Sequence, residues 1–242
     1  MTPSTKYVAD MYARIHESLT SPDAKTRVNG IDLAYDESGS DMGWYGGQGV
    51  QEKITDMAVH DPSPAVRMAA IACVRSELPG SILLQLAQDD PDRDVRRSAL
   101  LAFRGARGSH SPEVAPVVLA ILRNQIGAPR RSLSGRRSRQ SADLVAYAVS
   151  EGAMEYLPVL KKMLAKVIRW DWSILQRGLD DFHNEHPQDW VPVALNGLVE
   201  NWDRLSSGDR RWTKRFLKRL VKANSDYANY SSCAKRCISV LG

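Results

Sequence analysis

Placed on a helical wheel at about 100° per residue, the segment 93–107 divides into two opposite faces. Val95, Ala99, Ala102, Phe103 and Ala106 fall within an arc of about 100°, and Arg93, Arg96, Arg97, Arg104 and Arg107 occupy a similar arc on the other side. The segment 209–223 divides likewise. Trp212, Phe216, Leu220 and Ala223 form its apolar stripe, whereas Arg211, Lys214, Arg215, Lys218, Arg219 and Lys222 share the other face. Apolar periodicity predicts helices near 4–19, 22–36, 48–60, 63–78, 80–88, 93–107, 112–126, 138–150, 153–167, 172–184, 188–202, 209–223 and 227–240. No strand-like alternation of useful length occurs, so the predicted fold class is all-α. Paired off, the segments make about six two-helix repeats plus a C-terminal capping helix, in one domain over 1–242.

Two of these segments are copies of one another. Asp61-Pro-Ser-Pro-Ala-Val-Arg-Met-Ala-Ala-Ile-Ala-Cys-Val-Arg75 aligns without a gap on Asp90-Pro-Asp-Arg-Asp-Val-Arg-Arg-Ser-Ala-Leu-Leu-Ala-Phe-Arg104. The offset is 29 at Pro62/Pro91, Val66/Val95, Arg67/Arg96 and Ala70/Ala99. A weaker copy begins at Ser21-Pro22, with Arg27 and Gly30 in the matching places, and a later one has Arg139 and Ala142. The Asp is expected to cap each helix and the Pro to occupy its first turn, where a missing N–H costs nothing. The Val/Ala stripe is narrow, which permits close approach of a neighbouring helix and leaves a single helix unable to bury enough surface alone.

This D-P-x-x-x-V-R-x-x-A pattern resembles the second-helix signature of HEAT repeats, particularly the short bacterial kind. The resemblance covers about Ile54 to Arg107. It implies an α-solenoid in which Asp and Arg form a hydrogen-bonded ladder between repeats, so Arg67 and Arg96 are structural by similarity.

Two interruptions of the repeat mark candidate contact loops. Arg27 and Arg67 are 40 residues apart, and the surplus of 11 falls on the Gly-rich segment 36–49, which carries Trp44 and Tyr45. These are either an aromatic contact for a protein or base, or a cover over the apolar end of a helix. Arg96 and Arg139 are 43 residues apart, a surplus of 14 that falls on 127–139. That loop holds Arg130, Arg131, Arg136, Arg137 and Arg139, and reads as an arm for phosphates or acidic protein, or as a solvated loop.

Few acids interrupt either basic helix face, although surface helices commonly mix signs at i, i+4. Catalytic motifs are absent: there is no G-x-S-x-G, Walker, H-E-x-x-H or Rossmann fingerprint. His183 and His186 stand three apart beside Asp180, Asp181 and Glu185, but Pro187 marks a helix end where His is ordinary, so no metal site is assigned. Trp170, Asp171, Trp190 and Trp202 beside the basic helix give about 50 residues a similarity to HEAT-like alkylpurine DNA glycosylases. That family binds DNA on a basic concave face lined with Trp, Asp and Arg. The likeness implies Asp171 as stabiliser of a developing cationic sugar; the alternative is that these tryptophans are interfacial core.

Composition changes this picture little. Apolar residues make 43% and charged residues 25%, which is globular, and the net charge is +5. The first nineteen residues lack the apolar core of a signal peptide, and no stretch approaches 18 apolar residues. Three cysteines without C-x-x-C spacing suit reduced thiols in the cytoplasm. The chain is therefore expected to be a non-catalytic HEAT-repeat adaptor without cofactor or metal, off the membrane, docking a protein or protein complex. Its expected contacts are Trp44, Tyr45, Arg93, Arg97, Arg104, Arg130, Arg131, Arg136, Arg137, Arg139, Lys214, Arg215, Lys218 and Arg219. Sequence-independent binding of DNA or RNA is the alternative, and base excision a third.

Overall fold

The computed structural model describes residues 5–37, 47–75, 77–105, 114–127, 142–169, 187–223 and 228–241. Among these there are twelve α-helices and no strand. They are α1 (Thr5–Leu19), α2 (Ala24–Glu37), α3 (Gly47–His60), α4 (Pro64–Cys73), α5 (Gly80–Asp89) and α6 (Arg93–Gly105). There follow α7 (Ala115–Ile126), α8 (Ala142–Ser150), α9 (Leu157–Arg169), α10 (Pro187–Glu200), α11 (Ser207–Ala223) and α12 (Ala228–Val240). Each falls on a segment that apolar periodicity predicts; the thirteenth, at 172–184, lies outside the described residues. None is long and apolar enough to cross a membrane among the described residues. The chain divides into two compact units, Met1–Ile121 and Leu122–Gly242, and α7 runs across the boundary.

In the first unit, α2, α4 and α6 pack side by side, while α1 packs on α2, α3 on α4 and α5 on α6. Val66 and Val95, the matching positions of the two copies, are both fully buried, as are Ala70 and Ala99. The narrow stripes of both copies thus lie in the core, where small side chains let helices approach.

The repeat's Asp-Pro turns are joined by a chain of ionic hydrogen bonds. Arg27 donates from Nε and Nη2 to the two carboxylate oxygens of Asp61, both at 2.8 Å. Its Nη1 donates backwards to the carbonyls of Ser21 and Pro22, at 2.9 and 3.0 Å. Arg67 repeats the arrangement one step on, forking onto Asp90 at 2.9 Å twice and reaching back to the carbonyls of Asp61 and Pro62 at 2.8 and 3.4 Å. Arg96 makes the backward bonds to Asp90 and Pro91, at 2.7 and 3.1 Å. The guanidinium groups of Arg27 and Arg67 therefore each stitch the turn before their own helix to the turn of the next repeat, using the fork that only Arg offers.

This geometry corrects the expected capping. Asp61 and Asp90 do not cap helices: each accepts from the backbone N–H two residues on, Ser63 at 2.9 Å and Asp92 at 2.8 Å, and is otherwise committed to the arginine. The helix caps fall two residues later. Asp92 accepts from the N–H groups of Asp94 and Val95 at the start of α6, and Pro64, not Pro62, takes the first turn of α4. A second correction concerns the end of α4, expected at 78. The helix stops at Cys73, and Leu78 turns back into the core by donating its N–H to the Val74 carbonyl at 3.0 Å.

The second unit is built round α8, in which every residue from Ala142 to Val149 is buried. α9 and α10 pack on α8, α12 on α10, and α11 on α12 and α9. α10 crosses α8 at Gly197, where an added Cβ would lie 2.6 Å from the Ser150 Cα. Asn201 locks the same crossing, donating from Nδ2 to the carbonyls of Val149, Ser150 and Gly197 at 3.3, 3.0 and 3.0 Å. Gly152 follows with φ +90°, in the left-handed region that glycine alone enters at no steric cost.

Two stability outcomes follow. Arg67→Ala leaves the Asp90 carboxylate buried without its counter-ion and should cost about 3–5 kcal/mol in urea denaturation, with Arg67→Lys rescuing little. A loss under about 1 kcal/mol would contradict the buried fork. Gly197→Ala should cost about 1–3 kcal/mol in the same assay, because two backbones must separate to admit one methyl group.

Candidate functional site

The most strongly charged surface among the described helices belongs to α11. Its start is fixed by a capping arrangement: Ser206 Oγ accepts from the Asp209 N–H at 3.1 Å and donates to Asp209 Oδ2 at 2.5 Å. Asp209 Oδ1 also takes Lys161 Nζ of α9 at 2.7 Å. The bonds from Lys161 and Ser206 hold the Asp209 carboxyl below the usual aspartate range. Lys161 lies over the Trp212 ring, 5.1 Å from its centroid, and Trp212 stacks on Phe216 at 5.1 Å.

The buried stripe of α11 consists of Thr213, Phe216, Leu217 and Leu220. Phe216 and Leu220 of the expected stripe are buried, Trp212 is half-buried at its edge, and the Ala223 side chain lies outside the described residues. The large indole sits where its flat face meets both the core and a cation, as an amphipathic ring does at a boundary.

The opposite face carries Arg211, Lys214, Arg215, Lys218, Arg219 and Lys222, all exposed. Along its 17 residues α11 holds seven Lys/Arg, these six and Arg210, against the single acid Asp209. The net charge of the whole chain is +5, so this one helix accounts for the entire excess. Arg210 is engaged elsewhere, donating to the carbonyls of Trp202, Leu205 and Asp203 at 3.0, 3.1 and 2.9 Å. Lys214 is tethered too, to the Leu241 carbonyl at 3.3 Å and above Trp202 at 5.7 Å. Arg211, Arg215, Lys218, Arg219 and Lys222 meet no carboxylate among the described residues. Four like-charge pairs stand at i, i+4, namely 211/215, 214/218, 215/219 and 218/222, and each costs roughly 0.2–0.5 kcal/mol. A shallow open groove runs along this face, lined by Arg215, Lys218, Arg219, Val221, Lys222 and, from α12, Ile238.

The basic face expected on α6 is of another kind. Arg96 is consumed by the ladder, and Arg97 and Arg104 are half-buried and engaged with neighbouring groups. Arg93 is exposed. Trp44, Tyr45, Arg107, Arg130, Arg131, Arg136, Arg137 and Arg139 lie outside the described residues, as do Trp170, Asp171, His183 and His186. Trp190 is buried in the core, and Trp202 is half-buried beneath Arg210 and Lys214. Lys161 and Ile238 were not marked by the sequence. Each lies on the packed side of another helix, and only the fold brings them to α11.

Among the described residues no group of three or more His, Cys, Asp or Glu side chains is arranged to hold a metal ion. The three thiols are free and buried. Burial pushes the Cys73 thiol up to about 12. Cys233 and Cys237, four apart on α12, both approach Asn196 Oδ1, at 3.7 and 3.9 Å. Hydrogen bonding from Cys237 draws the Cys233 thiol downward and raises that of Cys237. Compared with known protein families, curated proteins and solved structures, the chain matches none.

Lys218→Glu replaces repulsion with attraction towards Lys214 and Lys222, and should raise the thermal midpoint by about 1–4 °C at low salt, less at high salt. An unchanged or lower midpoint would show that the cations do not strain the helix. The Lys161–Asp209 pair gives a pH signature. Its contribution is complete above the ordinary aspartate pKa near 4 and is lost as pH falls through the lower folded value. Asp209→Asn should therefore flatten that part of the acid limb in a stability–pH profile.

Proposed function

We propose that this chain is a non-catalytic binding protein, a HEAT-like α-solenoid that docks an acidic protein partner or complex through the cationic face of α11. The observation that carries this reading is the concentration of the chain's whole excess charge on one exposed helical face, with no carboxylate of the described residues set against it. Uncompensated cations destabilise a free helix, and an anionic partner offsets that cost on binding. The Asp–Arg ladder and the buried Val66 and Val95 support the HEAT-like part of the reading, because a repeat that stitches each turn to the next is the logic of stacked helix pairs. The three buried, free thiols suit a reducing compartment such as the cytoplasm.

The experiment is affinity capture by the full chain from a native extract, with and without nuclease. Arg215→Glu/Lys218→Glu/Arg219→Glu runs in parallel. Protein partners retained after nuclease treatment and lost with the triple variant are the expected result. Capture that vanishes with nuclease, together with an affinity falling steeply with salt, would replace this reading with sequence-independent nucleic-acid binding. Identical capture by the wild type and the triple variant would overturn both.

A further inference from the structure

On the α11 wheel, Arg211, Arg215, Lys218 and Lys222 stand at i, i+4, i+7 and i+11 and form one straight line of cations. At 1.5 Å per residue that line is about 16 Å long, with a charge every 4.5–6 Å. Any second α-helix has the same rise, so acids placed at i, i+4, i+7 and i+11 on a helix laid alongside meet these four cations one to one. A nucleic-acid backbone fits less well. Its phosphates follow the winding of a duplex or the flexing of a single strand, whereas a second helix keeps the 4.5–6 Å spacing of this line by its own geometry.

The groove does have an apolar part. Val221 of α11 and Ile238 of α12 belong to its lining beside Lys218 and Lys222. At the far end of α12, Val240 is 72% exposed. Cations flanking small aliphatic patches complement an acidic helix that carries an aliphatic residue at its edge, a helix-in-groove mode of recognition.

Resting on the docking role proposed above, we infer that the groove of α11 and α12 seats an acidic amphipathic helix whose carboxylates pair with Arg211, Arg215, Lys218 and Lys222 and whose aliphatic side chain rests on Val221 and Ile238. The cation line sets the register. The apolar patch sets which edge of the incoming helix faces α12.

The test uses the full chain and fluorescence anisotropy at 50 and 200 mM salt. The probes are a helix-stabilised peptide with Glu at i, i+4, i+7 and i+11 and Leu on the neighbouring edge, its Leu→Ser form, and a scrambled peptide of the same composition. A single-stranded oligonucleotide and a duplex complete the set. The periodic peptide should bind best, with about tenfold loss on scrambling and about fivefold loss on Leu→Ser. Lys218→Glu/Lys222→Glu should abolish its binding, and a peptide with the facing Glu replaced by Lys should restore it. Circular dichroism checks that this surface variant stays helical. Equal binding of periodic and scrambled peptides would overturn the helix inference and leave the docking role standing. Tighter binding of either oligonucleotide would overturn the acidic-protein occupant. Binding of no probe at 50 mM salt would sink the inference and the docking role together.

Discussion

The forked bond between a buried arginine and the aspartate of the following repeat is the constraint on which the first unit depends. A guanidinium and a carboxylate taken out of water lose several kcal/mol of hydration each, and they recover it only when every donor and acceptor is satisfied. Arg67 meets that demand with four bonds, two to Asp90 and two to carbonyls of its own turn. The consequence is geometric. Two Asp-Pro turns 29 residues apart in sequence are held at one separation, and helices α4 and α6 inherit that spacing. The buried Val/Ala stripes of the two copies then pack between helices whose spacing the ionic bonds help to fix.

The second unit solves a different problem. α8 is buried along nearly its whole length and has no polar face, so its orientation is set by what crowds against it. Gly197 brings the α10 backbone against Ser150, and Asn201 donates to the Val149 and Ser150 carbonyls at the end of α8. On that support α11 is anchored by its inner stripe, by the Lys161–Asp209 pair and by the Arg210 bonds around Trp202. Anchoring from behind is what permits the outer face to gather like charges: the repulsion along it is small beside the burial of Phe216, Leu217 and Leu220.

Much of this was legible from the residues, and what was not has physical causes. Periodicity located all twelve described helices, and the resemblance of the two copies to HEAT repeats implied that Arg67 and Arg96 are structural. The role of the aspartates was misplaced, because Asp before a helix reads as a cap until a distant arginine claims it. The helical pattern of the sequence runs on past Cys73, where α4 ends. On α11 the six outward cations were readable at once, whereas the edge position of Trp212 was not, since an indole counts as apolar on a wheel and behaves as amphipathic beside Lys161. The pairs Lys161–Asp209 and Arg123–Glu155, 48 and 32 residues apart, leave no local signal. The same holds for Ile238 at the groove.

The ladder also has no memory of how many rungs it contains. Arg27 and Arg67 each consult one turn behind and one ahead, and nothing in either set of bonds depends on a third turn. An in-frame duplication or loss of one 29-residue copy would still leave Arg27 with an aspartate to grip in the turn that follows it. Such a chain can lengthen or shorten over evolutionary time by unequal recombination, without compensating substitutions, while the cation-bearing helix far downstream keeps its own independent support.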